Sequence, residues 1–355
     1  YEGVDSICIE VTNPCIDTNT RIISDSTFAT SIGLPLNYTN FFVEGTFYIN
    51  KHLTFDHSNL LMAAGAKIEV LGNFSLNLNH TTITACDSMW QGILISGRGT
   101  VNLEDSSLIA DAHEAVNTGG AGNVRIVHSA LLNNNSGVVV PDQYPYTFAG
   151  TLYLNGANIG MNAPFKPDYS HQPAHGTAPY AGLVLNDVVL NLGGDHLARN
   201  HFFNMNNGIR ANRSNLKVYN STFNNIQLIP FYHNGSNQNG SAISIVGDNE
   251  SEQAAPSALA LMPIPDGSAN VTNSRCGVYA AVTYTEINGC LFDTVDYGID
   301  EQYLDIGLQS YLTANTINAY NYGIRLMEND GCDNINVEYN DITLLNKEKS
   351  AIGIY

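Results

Sequence analysis

Apolar and polar residues alternate by two in short phrases along the chain: VNLEDSSLI (101–109), VRIVHSALL (124–132), LKVYNSTF (216–223) and INVEYNDI (335–342). Val, Ile, Thr, Tyr and Phe dominate them, and Asn, Asp, Ser or Gly follows each strand-like run. The pattern predicts short strands punctuated by turns, because branched and aromatic side chains suit a pleated surface and small polar residues supply turn backbone. Helical repeats would instead place apolar residues three and four apart over runs of about ten or more.

The phrases repeat. In TANTINAYNYGIRL (313–326), Ile317 stands six residues ahead of Gly323. Phe292 stands six ahead of Gly298, Leu131 six ahead of Gly137, and NDITLLNKEKSAIGI restarts the unit at Ile342. A small residue followed by a branched one recurs at Gly92-Ile93, Ala115-Val116, Gly137-Val138, Gly182-Leu183, Gly208-Ile209, Ala242-Ile243, Gly277-Val278, Gly298-Ile299, Gly323-Ile324 and Gly353-Ile354. The shorter intervals are 21 to 26 residues, and gaps of 30 to 45 fit one period with an inserted loop or two periods with one blurred. A period of roughly 20 to 50 residues marks a solenoid.

Leucine-rich spacing is absent, and propeller blades need antiparallel hairpins. The fold class predicted is therefore all-β: a right-handed parallel β-helix of about a dozen coils with long loop insertions, a rod on the order of 50–60 Å long. Each coil carries about three short strands, and successive coils pair in parallel roughly 4.8 Å apart. Ile317 then stacks inside on Phe292 and Ile342. Glycine at the next corner supplies positive φ or a close approach. Asn315 and Asn340 are the expected members of an amide ladder. Residues 1–40 are less regular and read as a cap or linker, with the β-helix over 41–355. Insertions are expected at 141–180, 193–207, 229–240 and 247–270. The strand phrase ending at Tyr355 predicts a piece of a longer chain, since an open end exposes a sheet edge.

Composition narrows the partners. Apolar residues make up 44% of the 355, with 44 Asn, 31 Gly and a net charge of 14 − 33 = −19. That much patterned apolar content excludes disorder, and the acidity argues against nucleic acid or anionic membrane. No run of about 18 apolar residues exists to insert in a bilayer. The six cysteines include no C-x-x-C pair, against a zinc knuckle or a redox motif. Cys8 and Cys15 are placed to close a small loop, and Cys276 with Cys290 to bridge within a coil. The alternative is buried free thiols acting as small hydrophobes.

The stretch CDSMWQGILISGRGTVNLEDSSLIADAHEAV (86–116) resembles the large right-handed β-helix proteins that Bacteroidota secrete through the type IX system. The matching residues are Cys86, Met89, Trp90, Gly92, Ile93, Val101, Leu103, Ile109, Asp111 and Ala112, and GTFYINKHLTF and MAAGAKIEVLG upstream agree in style. The resemblance implies an extracellular or cell-surface location and a functionally mixed family. It also implies O-glycans on Asp-Ser/Thr followed by an apolar residue or Thr, which makes Ser6, Ser26, Ser88 and Thr294 candidate acceptors; plain turn residues are the alternative.

Candidate chemistry is sparse. The phrases that polygalacturonases and pectate lyases carry are absent as sets. In GGDHLARNHFF (193–203), Asp195, His196, Arg199 and His201 are the residues an enzyme would use, against a polar loop with solvated histidines. Tyr144, Tyr146, Tyr169, Tyr180, Phe231 and Tyr232 lie in the insertions and offer a stacking surface for sugar rings, or else pack the loops onto the body. Asp296, Asp300, Glu301 and Asp305 crowd one coil; they could hold Ca2+ or form a solvated acidic face. No cofactor is otherwise expected. The chain reads first as a non-catalytic extracellular rod for adhesion or presentation, with glycans or surface proteins as partners and further domains or subunits of a cell-surface assembly beside it. A polysaccharide lyase or glycoside hydrolase, and a subunit of a surface filament, are the alternatives.

Overall fold

A computed structural model describes residues 15–33, 36–143, 147–169, 176–194, 196–229, 238–248, 257–302, 309–327, 334–346 and 351–355. The chain is a right-handed parallel β-helix in which each strand pairs with its equivalent one coil on. A sheet of 24 strands bends round a corner to supply two faces, and sheets of five and six strands share the third face. Leu291–Gln302 and Thr316–Met327, at 12 residues each, run through both faces of the large sheet.

Inward columns of like side chains hold the coils together. The first passes in register through Phe41, Leu60, Ile83, Ile109, Leu131, Ile159, Phe202, Phe223, Val271, Phe292, Ile317 and Ile342. All are buried except Ile342, which is half-buried. Burial of each such side chain stabilises by roughly 1.5–3 kcal/mol. The Phe202 and Phe223 rings stack at 4.9 Å. The second column is Ile93, Val116, Val138, Leu183, Ile209, Ile243, Val278, Ile299, Ile324 and Ile354. Every small-plus-branched pair of the sequence is thus one rung. The long intervals hold a single coil each: Val138 pairs directly with Leu183, Ile209 with Ile243, and Ile324 with Ile354.

The small residue ahead of each branched one answers a close approach. A Cβ on Gly298 would lie 2.4 Å from the Gly323 carbonyl oxygen and 2.6 Å from the Ile317 side chain. One on Gly277 would meet the Gly298 oxygen at 2.4 Å and the Phe292 ring at 2.5 Å. Among these glycines only Gly92 has positive φ, +117°.

Polar ladders secure the corners. Thr81, Ser107 and Ser129 are buried, and each hydroxyl accepts a bond from the backbone N–H one coil earlier while donating to a carbonyl two or three residues back. The expected amide ladder is present: Asn315 Nδ2 donates to Asn340 Oδ1 at 3.0 Å, and Asn315 Oδ1 accepts from the Cys290 N–H at 2.9 Å. Buried backbone donors are thereby satisfied where strands end.

The structure differs from the sequence reading in three places. Arg21–Ile23 pairs with residues 41–43 and Thr27–Phe28 with residues 47–48, so the solenoid is already under way within the stretch expected as a cap or linker. The insertions are also shorter than expected. Leu152–Asn155 and Asn158–Gly160 lie within 141–180, Asn200–Met205 within 193–207, and Ser257–Leu261 within 247–270. These strands have three to six residues. Neighbouring coils define their register, so beside Asn-, Gly- and Pro-rich loops they show little periodicity of their own. Residues 229–240 do lie between strands, with 230–237 outside the described residues. Finally, Cys15 is bonded to Cys86, with Cα atoms 5.8 Å apart, and not to Cys8, which lies outside the described residues. Cys276 and Cys290 are free and buried, and burial pushes both thiols up to about 12.

Candidate binding face

The third face carries the chemistry most open to a ligand. Its inward positions are mostly apolar, as in Leu53, Leu76, Val101, Val124 and Leu152, with Thr285 and Ser310 as buried polar exceptions. Period-two alternation therefore sends the residues between them outward. In the five-stranded sheet the outward row is Thr54, Asn77, Asn102, Arg125 and Tyr153 in register. Asn102 Nδ2 donates to Asn77 Oδ1 at 2.7 Å, and Asn77 Nδ2 to Thr54 Oγ1 at 3.2 Å. The Arg125 guanidinium lies 5.5 Å from the Tyr153 ring centroid and pairs with Glu104.

The six-stranded sheet continues the pattern with two outward rows. One is Val189, Asn215, Ala258 and Tyr284; the other is Asn191, Lys217, Ala260, Glu286, Tyr311 and Asn336. Tyr284 and Tyr311 meet edge to face at 6.2 Å. The small Ala258 and Ala260 lower the floor beside them, leaving a groove of ≈ 150 Å³ edged by Asn191, Asn215, Lys217 and Glu286. Val189, on its far side, is 71% exposed. A second depression of ≈ 500 Å³ lies beyond Tyr311, against Asn334, Asn336 and Glu338. Burial, then the Glu286 and Tyr311 neighbours, holds the Tyr284 phenol above its ordinary range. It stays protonated and able to donate.

The described members of the residues singled out from the sequence lie at separate places. Asp195 lies outside the described residues, and His196 is exposed. Arg199 pairs with Asp266 at 2.5 Å and reaches Ser268 and Asn220. Ser268, then Arg199, holds the Asp266 carboxyl down at about 2. His201 Nδ1 lies 2.8 Å from Thr222 Oγ1; burial, then the Arg199 charge, lowers its affinity for a proton. Tyr144, Tyr146, Phe231 and Tyr232 lie outside the described residues. Tyr169 is half-buried against His113 at 4.8 Å, where its loop docks beside Gly65. Tyr180 packs under the Arg210 guanidinium at 5.5 Å. These two tyrosines secure loops to the body.

Cations elsewhere tie neighbouring coils or loops together. Arg213 holds Asp187 at 2.8 Å and Asp142 at 2.8 Å, Lys166 holds Asp111 at 3.2 Å, and Arg325 holds the buried Asp300 at 2.9 Å. The Asp187 contact keeps the Arg213 proton bound well above the usual guanidinium range. The acidic cluster is likewise divided. Asp300 faces Arg325, while Glu301 points into the core and accepts from Thr285 and Ser310. Asp296 is half-buried, and Asp305 lies outside the described residues. The described members therefore form no shared Ca2+ cage. Of the candidate glycan acceptors, Ser26 is exposed and Ser88 half-buried. The Thr294 hydroxyl bonds Asn273 Oδ1 at 2.8 Å, and Ser6 lies outside the described residues.

Sequence reasoning missed Tyr284, Glu286, Lys217 and Tyr311. The signal available was their phase: in NLKV (215–218), TYTEIN (283–288) and SYLT (310–313) each stands between two inward residues. Comparison with known proteins returns no matching family model, no matching curated protein and no matching solved structure.

Proposed function

We propose that the chain is a non-catalytic, extracellular β-helix rod of a bacterial cell-surface or secreted protein, and that it binds glycans along the outer side of its third face. The observation that carries this reading is the Tyr284–Tyr311 pair beside a groove edged by amide and charged side chains. Aromatic faces stack on the apolar side of sugar rings, and amides with both donors and acceptors satisfy hydroxyls. A saccharide laid along the axis meets a new polar side chain about every 4.8 Å. The Cys15–Cys86 disulfide supports an oxidising compartment. Lys166, Arg199, Arg213 and Arg325 each hold a carboxylate as structural ties, which favours a non-catalytic reading over a lyase that would use any of these four as its base.

The test is retention of the protein on insoluble polysaccharides and on a glycan array, with released reducing ends measured in parallel. Tyr284→Ala and Tyr311→Ala should each weaken binding about tenfold or more. Tyr320→Ala, at a 41% exposed tyrosine on Thr316–Met327 of the large sheet, should leave it unchanged. Equal retention of Tyr284→Ala and the parent protein, or release of sugar ends, overturns the reading.

A further inference from the structure

We propose a divalent transition-metal site at the corner between the third and first faces, formed by Asp56, His57 and His80. The corner repeats one backbone conformation from coil to coil: Tyr38, His57 and His80 have φ of 53°, 50° and 47°. Equal backbone angles in stacked coils send successive Cβ atoms in one direction. The His57 and His80 rings accordingly stack at 4.3 Å, and Tyr38 covers the other side of His57 at 4.8 Å. Asp56, the last residue of Leu53–Asp56, is in register with Asn79, so both imidazoles flank its carboxylate.

His57 Nδ1 lies 2.9 Å and His80 Nδ1 4.0 Å from the same Asp56 Oδ1. The three ligand atoms all fall within 4.8 Å of one another. A tetrahedral ion with bonds of about 2.0–2.2 Å needs its ligand atoms about 3.3 Å apart. Small rotations of the His57 and His80 side chains, 41% and 47% exposed, supply the difference. Two imidazoles and one carboxylate suit zinc, nickel or copper(II), whereas Ca2+ takes oxygen ligands almost alone. Solvent would complete the coordination. The ion would displace the hydrogen between His57 and Asp56, leaving each ring its Nε2 proton. Because Asp56 and His57 belong to one coil and His80 to the next, the metal would act as a clasp between coils.

The experiment titrates Zn2+ into chelator-stripped protein by calorimetry, with Ca2+ as the contrast. One equivalent of Zn2+ should bind with micromolar affinity, and Ca2+ should give no heat. His80→Asn and Asp56→Asn should each weaken Zn2+ by at least the ~10-fold that loss of an outer partner costs. Asn adopts the positive-φ conformation readily, so His80→Asn preserves the corner. Zn2+ should raise the unfolding midpoint of the parent and not of His80→Asn, since it binds the folded corner alone. His128→Asn, at the same corner two coils beyond His80, should bind as the parent does. Absence of heat with Zn2+, or unchanged binding by His80→Asn, overturns the site.

Discussion

Glu301 is the most informative residue to perturb. It sits in an inward column between Ala280 and Leu326 and is fully buried. Its oxygens accept from Thr285 and Ser310, which themselves replace apolar residues in the column that contains Leu259 and Ile335. Burial pushes the carboxyl up to about 7 from an ordinary 4.5, with the Asp300 charge adding to the shift and the two hydroxyls opposing it. Between those values the folded chain holds a proton that the unfolded chain has released. Stability must therefore fall as pH rises through that window, and the loss is complete above about 7. A difference of 2.5 in pKa corresponds to about 3 kcal/mol.

Glu301→Gln keeps the shape and the hydrogen-bonding capacity while removing the ionisation. Urea unfolding of both proteins at pH 5 and pH 8 gives the comparison, and taking the difference of differences cancels the self-repulsion of a chain with net charge −19. The unfolded carboxyl is already mostly ionised at pH 5, so the parent should lose about 2.5 kcal/mol more than Glu301→Gln over that range. Parallel pH dependences in the two proteins would refute the claim that Glu301 is buried and protonated in the folded coil.

Two further perturbations address the frame. Cys86→Ser opens a disulfide that closes a 71-residue separation, and chain-entropy reasoning puts the loss at about 4 kcal/mol. The reduced parent should match it in a denaturation series, and a loss within the ~0.5 kcal/mol of an ordinary surface change would sink the pairing. Gly298→Ala places a Cβ 2.4 Å from the Gly323 carbonyl oxygen and should cost about 1–3 kcal/mol by thermal unfolding; a neutral result would remove close approach as the reason for glycine there.

What the sequence made legible follows from which positions the coil constrains. Inward residues and corner glycines face the same neighbours in every coil, so they recur, and recurrence can be read without coordinates. Ile317 between Phe292 and Ile342 is an example. Outward residues face solvent and carry no such requirement, which is why Tyr284 and Tyr311 left no repeat. Asp300 and Glu301 looked like one acidic cluster, yet consecutive strand residues point to opposite sides. One meets Arg325 outside and the other Thr285 inside. The partner of Cys15 depends on which loop ends lie together, and no local pattern encodes that. His57 and His80 were legible in principle: 80 − 57 = 23 residues is one period, so a search for chemistry repeating at the coil spacing finds them.

The placement of Glu301 also connects core and surface. Each coil of a solenoid touches only its neighbours, so a weakness in one coil stays local. Thr285 and Ser310, which hold the Glu301 carboxyl, stand beside Tyr284 and Tyr311 in sequence. The strands that present the aromatic pair outward are therefore the strands whose inner hydroxyls hold a titratable carboxyl. Ionising Glu301 introduces a buried charge behind the two strands that carry Tyr284 and Tyr311, and water drawn toward it would loosen the backing of both rings. The pH 5 and pH 8 comparison thus bears on binding as well as stability: retention on glycan should fall at the higher pH in the parent and hold steady in Glu301→Gln. If both proteins kept the same retention at both values, the groove would be mechanically independent of the core behind it.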